Sequence, residues 1–301
     1  MGMPISIHLR GAGVESASAE LAVEAAFADL AWVEEVFSPF RANSELSRLR
    51  RGELSLAECV PELAQVWRLC EQAEAQTGGA FSAFLPSQPD EQVPDAPGGS
   101  PAAPVAAIAD QATEPALDEL ADDRVRRFNP TGLVKGWAIE RAAAILAGLD
   151  DVTYCINAGG DIAVGAPVTV DRPKQGRPQG DGVVDERLAS RSVVDESTST
   201  ERAAGAPVPL PWRLGIESPY HRGRVAHVVE LVQGGMATSG TAARGLHLLD
   251  PSSGLPVRRG GSVSVIAPSI MWADVWATAL FVSPSARARF PREPGWSQVW
   301  I

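Results

Sequence analysis

Residues 271–280, MWADVWATAL, decide how this chain is read. Their Ala, Trp, Val and Leu side chains predict a helix buried around most of its circumference. Asp274 and Thr278 nevertheless sit four apart within it, so both oxygens project from one helical face. Two explanations satisfy them. Asp274 can cap the helix while Thr278 bonds back to the Asp274 carbonyl. Alternatively, carboxylate and hydroxyl supply part of a hard-oxygen metal shell, completed for Mg²⁺ by water and substrate phosphate. Taken alone, the segment favours the cap.

Outward from this helix, strands are predicted at 262–267 (SVSVIA), 225–232 (VAHVVELV), 212–217 (WRLGIE), 153–157 (TYCIN), the carboxy-terminal QVWI and the amino-terminal MGMPISIHLRG. A helix capped by Ser18 carries the stripe Leu21, Ala25, Ala28, Trp32 and Val36 and stops at Pro39. A second begins near Pro61, presents Leu63, Val66, Trp67 and Cys70, and ends at the TGG of 77–79. A third follows Gly136, with Ile139, Ala143 and Leu146 on one side. These segments do not alternate strictly as βαβ, so the fold class expected is α+β rather than doubly wound. Two stretches, about 86–123 and 166–211, are too polar or too poor in large apolar residues to offset the entropy of ordering, and read as disordered insertions.

The chain has 301 residues, 45% of them apolar, and a net charge of −11. That charge argues against nucleic-acid binding through an overall positive field, so a phosphorylated ligand would need local positive charge or a divalent metal. Only Lys135 and Lys174 are lysines. Cys59, Cys70 and Cys155 form no CxxC pair and read as reduced core residues. No signal segment and no apolar run long enough to span a bilayer is evident, so the location expected is cytoplasmic.

Gly-rich, polar stretches lie at the ends of the predicted elements: FSPFRANSELSRL (37–49), TGGAFS (77–82), NPTGLVKG (129–136), CINAGGDI (155–162) and TSGTAARGLHLLDPSSGLP (238–256). Glycine turns let backbone amides approach a ligand, and helix starts favour anions. Neither GxxxxGK[ST] nor GxGxxG is present. Lys135 near a helix start opposes the helix dipole, which a ligand phosphate or a partner carboxylate would rationalise; a solvated surface lysine is the alternative. His247 stands where a strand meets the turn of Asp250, Pro251 and Gly254, and no hydrolase triad can be assembled around it.

Taken in order, these stretches resemble the ApbE-like FAD:protein FMN transferases, with MGMPISIHL, INAGGDI, SVSVIAP and ADVWATAL among the matching pieces. The resemblance implies one unit over residues 1–301, apart from the insertions, with mixed sheets, packed helices and FAD in a cleft. It implies Mg²⁺-dependent transfer of the FMN half of FAD to a Ser or Thr hydroxyl of an acceptor protein, releasing AMP. The implied metal positions are Asp274, Thr278 and the carbonyl of Gly132. Flavin contacts fall at Met1, Phe40, Ala80, Phe81, Ser82, Asn129, Lys135 and Leu249, and His247 assists proton transfer. Ser82 and Asn129 replace aspartates found in many relatives, leaving two fewer carboxylates near the ligand. The alternatives are hydrolysis of FAD to FMN and AMP, or FAD binding without turnover.

Overall fold

The computed structural model describes residues 3–85, 123–166, 209–242, 245 and 247–301. Met1 and nearly all of the two expected insertions lie outside them. The strands are β1 (Ile5–Arg10), β2 (Thr153–Ala158), β3 (Asp161–Gly165), β4 (Trp212–Glu217), β5 (Val225–Leu231), β6 (Gly234–Gly240), β7 (Ser262–Ala267) and β8 (Ser297–Trp300). Six of them form one sheet in the order β1-β2-β3-β6-β7-β8, and β4 and β5 form a separate hairpin; every pair is antiparallel. The helices are α1 (Ala17–Phe37), α2 (Glu45–Arg50), α3 (Pro61–Thr77), α4 (Thr131–Leu146) and α5 (Ile270–Val282), followed by a 3₁₀ turn at Pro284–Arg289.

Alternation along the strands explains the layers. Ile156, Ala163, Ala237 and Val265 face the core shared with the helices, whereas their neighbours Cys155, Ile162, Val164, Met236 and Ile266 pack against Trp212, Leu214 and Ile216 of the hairpin. The central sheet is therefore covered on both faces, and β7 is buried along its whole length. This is the α+β architecture expected from the order of the elements.

Two strands escaped the periodicity reading, β3 and β6. In β6 the cause is a neighbour: a Cβ on Gly235 would come within 2.5 Å of the Ile270 Cβ and 2.6 Å of its Cα. The strand is small-residue rich because α5 starts directly on top of it. Turn chemistry explains the start of β3. Gly159 and Gly160, at φ 61° and 100°, form the two-residue connection between paired Ala158 and Asp161. A tight hairpin with positive φ at both central positions calls for such residues, and it turns Asp161 sharply back toward the sheet.

Three helical expectations change. Ser16, not Ser18, caps α1, accepting from the Ala19 amide at 3.2 Å. Its buried face is Ala19, Ala26, Leu30, Val33, Val36 and Phe37; of the expected stripe Val36 is buried and Trp32 half-buried, while Leu21 stays 64% exposed. The amino-terminal part of the expected stripe, Leu21, Ala25 and Ala28, lay on an adjacent face of this Ala-rich helix, where apolar spacing discriminates poorly, and packing against α4 selected the other. Helix α4 starts at Thr131, not after Gly136, so Lys135 sits inside the helix rather than at its entrance. Finally, Ser269 caps α5, accepting from the Trp272 amide at 3.2 Å, so Asp274 is not the cap.

Candidate functional site

Apart from Trp272 and Thr278, every residue of α5 is buried. A helix apolar around its circumference belongs inside a protein, and the start of α5 finds partners there. Glu140 of α4 accepts from Ser269 Oγ at 2.6 Å and from the Met271 amide at 3.2 Å, placing a carboxylate at the positive end of α5. Gly136 lets the two helices touch: a Cβ there would come within 2.7 Å of the Met271 Cα and 3.3 Å of the Asp274 Cβ. That close crossing brings Lys135 and Asp274 together.

The Lys135 ammonium is ion-paired with Asp161 and lies 3.3 Å from Asp274 Oδ1. All three side chains are substantially buried, at 18%, 4% and 3% exposure for Lys135, Asp161 and Asp274. The partner-carboxylate explanation of Lys135 therefore holds, and the solvated surface lysine does not. Asp161 Oδ1 also accepts from the Thr238 amide of β6 at 3.2 Å, which fixes the carboxylate on the sheet. Thr278 Oγ1 reaches across to β6 and meets Ser239 Oγ at 3.0 Å. Two carboxylates and one ammonium thus meet in a poorly solvated place.

These groups lie in a cleft of about 1190 Å³, larger than the roughly 300–1,000 Å³ of most small-molecule sites. Gly132, Asp274 and Thr278, the expected metal positions, line it together with Lys135 and the unforeseen Asp161. Phe40, Ala80, Phe81, Ser82, Asn129 and Leu249 line it as well, as does His247. Of the expected flavin contacts only Met1 is not placed, lying outside the described residues; Met3 reaches the cleft and packs on Gly159. Among the described residues no group of three or more His, Cys, Asp or Glu side chains gathers as a metal cluster. A magnesium site built from one carboxylate, a hydroxyl, a carbonyl and substrate phosphate does not need such a group, and the donors present are all hard oxygens.

The cleft walls are held by local hydrogen bonds. Gly78 ends α3 at φ 65°, and Thr77 Oγ1 accepts from the Phe81 amide at 3.1 Å, holding Ala80 and Phe81 against the cleft. Phe81 in turn touches Gly132, where a Cβ would come within 3.2 Å of its ring. The Asn129 amide donates to the Ala83 carbonyl at 2.7 Å, and its Oδ1 accepts from Thr131 Oγ1 at 2.8 Å at the start of α4. Phe40 is 82% exposed at the mouth.

His247 is exposed, and its Nδ1 lies 3.0 Å from the Gly245 carbonyl. A carbonyl only accepts, so Nδ1 carries the proton and Nε2 is left as the basic nitrogen. The following turn is tied by Asp250, whose Oδ1 accepts from Ser252 Oγ at 2.7 Å and from its amide at 2.9 Å. These hydrogen bonds, the side-chain one first, hold the Asp250 carboxyl below the usual carboxylate range. Leu249 pairs with Pro256 through an isolated bridge rather than in the continuous strand expected there.

Scaffold and cleft together define an α+β protein whose cleft gathers a lysine between two carboxylates, with a hydroxyl in the same lining. The ApbE family model matches residues 1–290, and the chain belongs to the ApbE family. It is 34% identical over 90 residues to the FAD:protein FMN transferase of Escherichia coli K12, covering 27% of this chain and 26% of that protein. Against the Haemophilus influenzae protein of the same name the identity is 34% over 109 residues, 32% of each chain. The chain thus aligns with only about a quarter to a third of the length of these curated relatives. The fold is similar to that of the ApbE protein of Thermotoga maritima, with a TM-score of 0.64 at 20% identity, covering 100% of this chain and 91% of that one. The flavin transferase ApbE of Vibrio cholerae gives a TM-score of 0.60 at 19% identity, covering 100% and 94%. Among the described residues no helix is long and apolar enough to cross a membrane.

Proposed function

We propose that this chain, acting as one unit, transfers the FMN moiety of FAD to a Ser or Thr hydroxyl of an acceptor protein and releases AMP. The observation that carries the reading is the Lys135 ammonium set between Asp161 and Asp274 in a cleft of about 1190 Å³, in a member of the ApbE family.

Transfer requires the acceptor oxygen to attack the phosphorus on the FMN side of the pyrophosphate while the bond from that phosphorus to the bridging oxygen breaks. AMP departs with the bridging oxygen, and the proton of the hydroxyl must go to a base. His247 Nε2 is suited to accept it, because the Gly245 carbonyl sets its tautomer and the ring is exposed where a protein hydroxyl can reach it. Lys135 stabilises charge growing on the phosphoryl oxygens, and Asp161 holds the ammonium in position. Mg²⁺ bound by Asp274, Thr278 and the Gly132 carbonyl would neutralise the rest of the pyrophosphate charge. The walls at Phe40, Ala80, Phe81, Ser82, Asn129 and Leu249 receive the flavin end of FAD.

The test is to incubate the protein with FAD, Mg²⁺ and a peptide carrying a flavinylation-type Thr. A covalently yellow peptide with stoichiometric AMP is the result expected. Free FMN plus AMP would make the protein an FAD pyrophosphatase, and intact bound FAD would make it a flavin-binding protein.

A further inference from the structure

Behind the cleft wall, one turn before the end of α3, stands Glu74, which does not itself line the cleft. Its Oε1 accepts the Ser82 hydroxyl proton at 2.7 Å, and its Oε2 is held by Arg124 Nη2 at 3.2 Å. Arg124 is itself fixed, stacked 4.0 Å over the Phe84 ring. The Phe84 amide donates to Ser82 Oγ at 3.1 Å. A serine hydroxyl has one proton and two lone pairs. At Ser82 the proton is committed to Glu74 and one lone pair to Phe84, so what remains for a cleft ligand is a single acceptor.

Resting on the flavin reading above, we propose that Glu74 is a positioning residue that makes Ser82 an obligate hydrogen-bond acceptor and so reads the flavin ring by its imide edge. Oxidised isoalloxazine has several acceptors but one ring donor, N3–H. An acceptor-only Ser82 therefore selects that edge and disfavours a ring turned to present its carbonyls or N5. A serine free to rotate would donate or accept and would make no such distinction. Glu74 acts through the direction of one hydroxyl proton, without touching the ligand.

The experiment is FAD fluorescence quenching in EDTA, comparing FAD with N3-methyl-FAD on the wild type, Ser82→Ala and Glu74→Gln. The wild type should prefer FAD by roughly tenfold, the worth of one well-made hydrogen bond. Ser82→Ala should reduce the preference to within about threefold. In Glu74→Gln the new amide donates to Ser82, the hydroxyl proton turns toward the ligand and meets N3–H donor to donor, and FAD binding weakens about tenfold with little change for the methylated analogue. A purely structural role for Glu74 would weaken both ligands equally, which overturns the proposal. Equal affinity of the wild type for both ligands overturns it even if neither variant folds. Failure of the wild type to bind FAD both in EDTA and with Mg²⁺ would instead remove the flavin reading on which it rests.

Discussion

Lys135 Nζ lies 3.3 Å from Asp274 Oδ1 while also ion-paired with Asp161, so one ammonium joins α5 to the β2–β3 hairpin across the crossing at Gly136. Taking a lysine and two carboxylates out of water is costly, and their mutual pairing helps to offset it. Lys135→Met leaves two carboxylates near each other without that ammonium, and the expected loss of stability is about 3–5 kcal/mol. Adding Asp161→Asn removes one charge and keeps an oxygen for the Thr238 amide, so the double variant should regain part of the loss. Urea unfolding of the two proteins checks this; a double variant less stable than Lys135→Met alone would contradict it.

At Gly136 the effect is steric. A Cβ would sit 2.7 Å from the Met271 Cα and 3.1 Å from the Ile270 carbonyl oxygen, both backbone atoms that cannot swing aside. Gly136→Ala gains helix propensity, yet overpacking should dominate and destabilise by about 1–3 kcal/mol. The midpoint of denaturant unfolding measures it; an unchanged or higher midpoint would show that the helices separate freely.

Much of this was legible in the sequence because it is local. TGG at 77–79 predicted the end of α3, SVSVIA predicted β7, and the acid–hydroxyl spacing singled out α5. What the sequence did not disclose depends on contacts between distant segments. The buried face of α1 was misplaced because alanines dilute the periodicity, and β6 was missed because its glycines answer to Ile270. Asp161 stood within a quoted motif, but nothing in AGGD says that its carboxylate meets Lys135; the double glycine of the turn was the signal available. Read alone, the segment favoured a cap at Asp274, but Ser269, outside the stretch that drew attention, holds that place.

The turn after His247 carries a pH dependence. Asp250 is held below the usual carboxylate range by Ser252, so the stability it contributes is present above the unfolded carboxyl pKa of about 3.9 and is lost as pH falls through the lower folded value. The Gly254 amide, which donates to the Asp250 carbonyl at 2.7 Å, should lose exchange protection only below about pH 4. In Ser252→Ala the Asp250 titration followed by NMR should move up toward the ordinary value. An Asp250 that titrates identically in both proteins would contradict the assignment.

His247 separates binding from turnover. The side chain is exposed, and its tautomer is set by the Gly245 carbonyl. His247→Ala should therefore leave FAD affinity within about twofold while slowing transfer by roughly 10²–10⁴-fold, the usual worth of a positioned base. Single-turnover kinetics beside an FAD titration distinguishes the two effects. A parallel loss of affinity and rate would assign His247 to ligand binding instead.

On the proposed function, Asp274 serves the pyrophosphate of FAD and does not merely pack α5. Asp274→Ala leaves Lys135 paired with Asp161, so the variant should fold with a melting temperature near that of the wild type. The decisive measurement is the intact mass of a Thr-containing acceptor peptide after incubation with FAD and Mg²⁺, for the wild type and for folded Asp274→Ala. A covalent FMN adduct is expected with the wild type, abolished by EDTA, and none above background with the variant. An equal adduct from folded Asp274→Ala, or one from the wild type that persists in EDTA, would show that the reaction does not run through a metal held at Asp274.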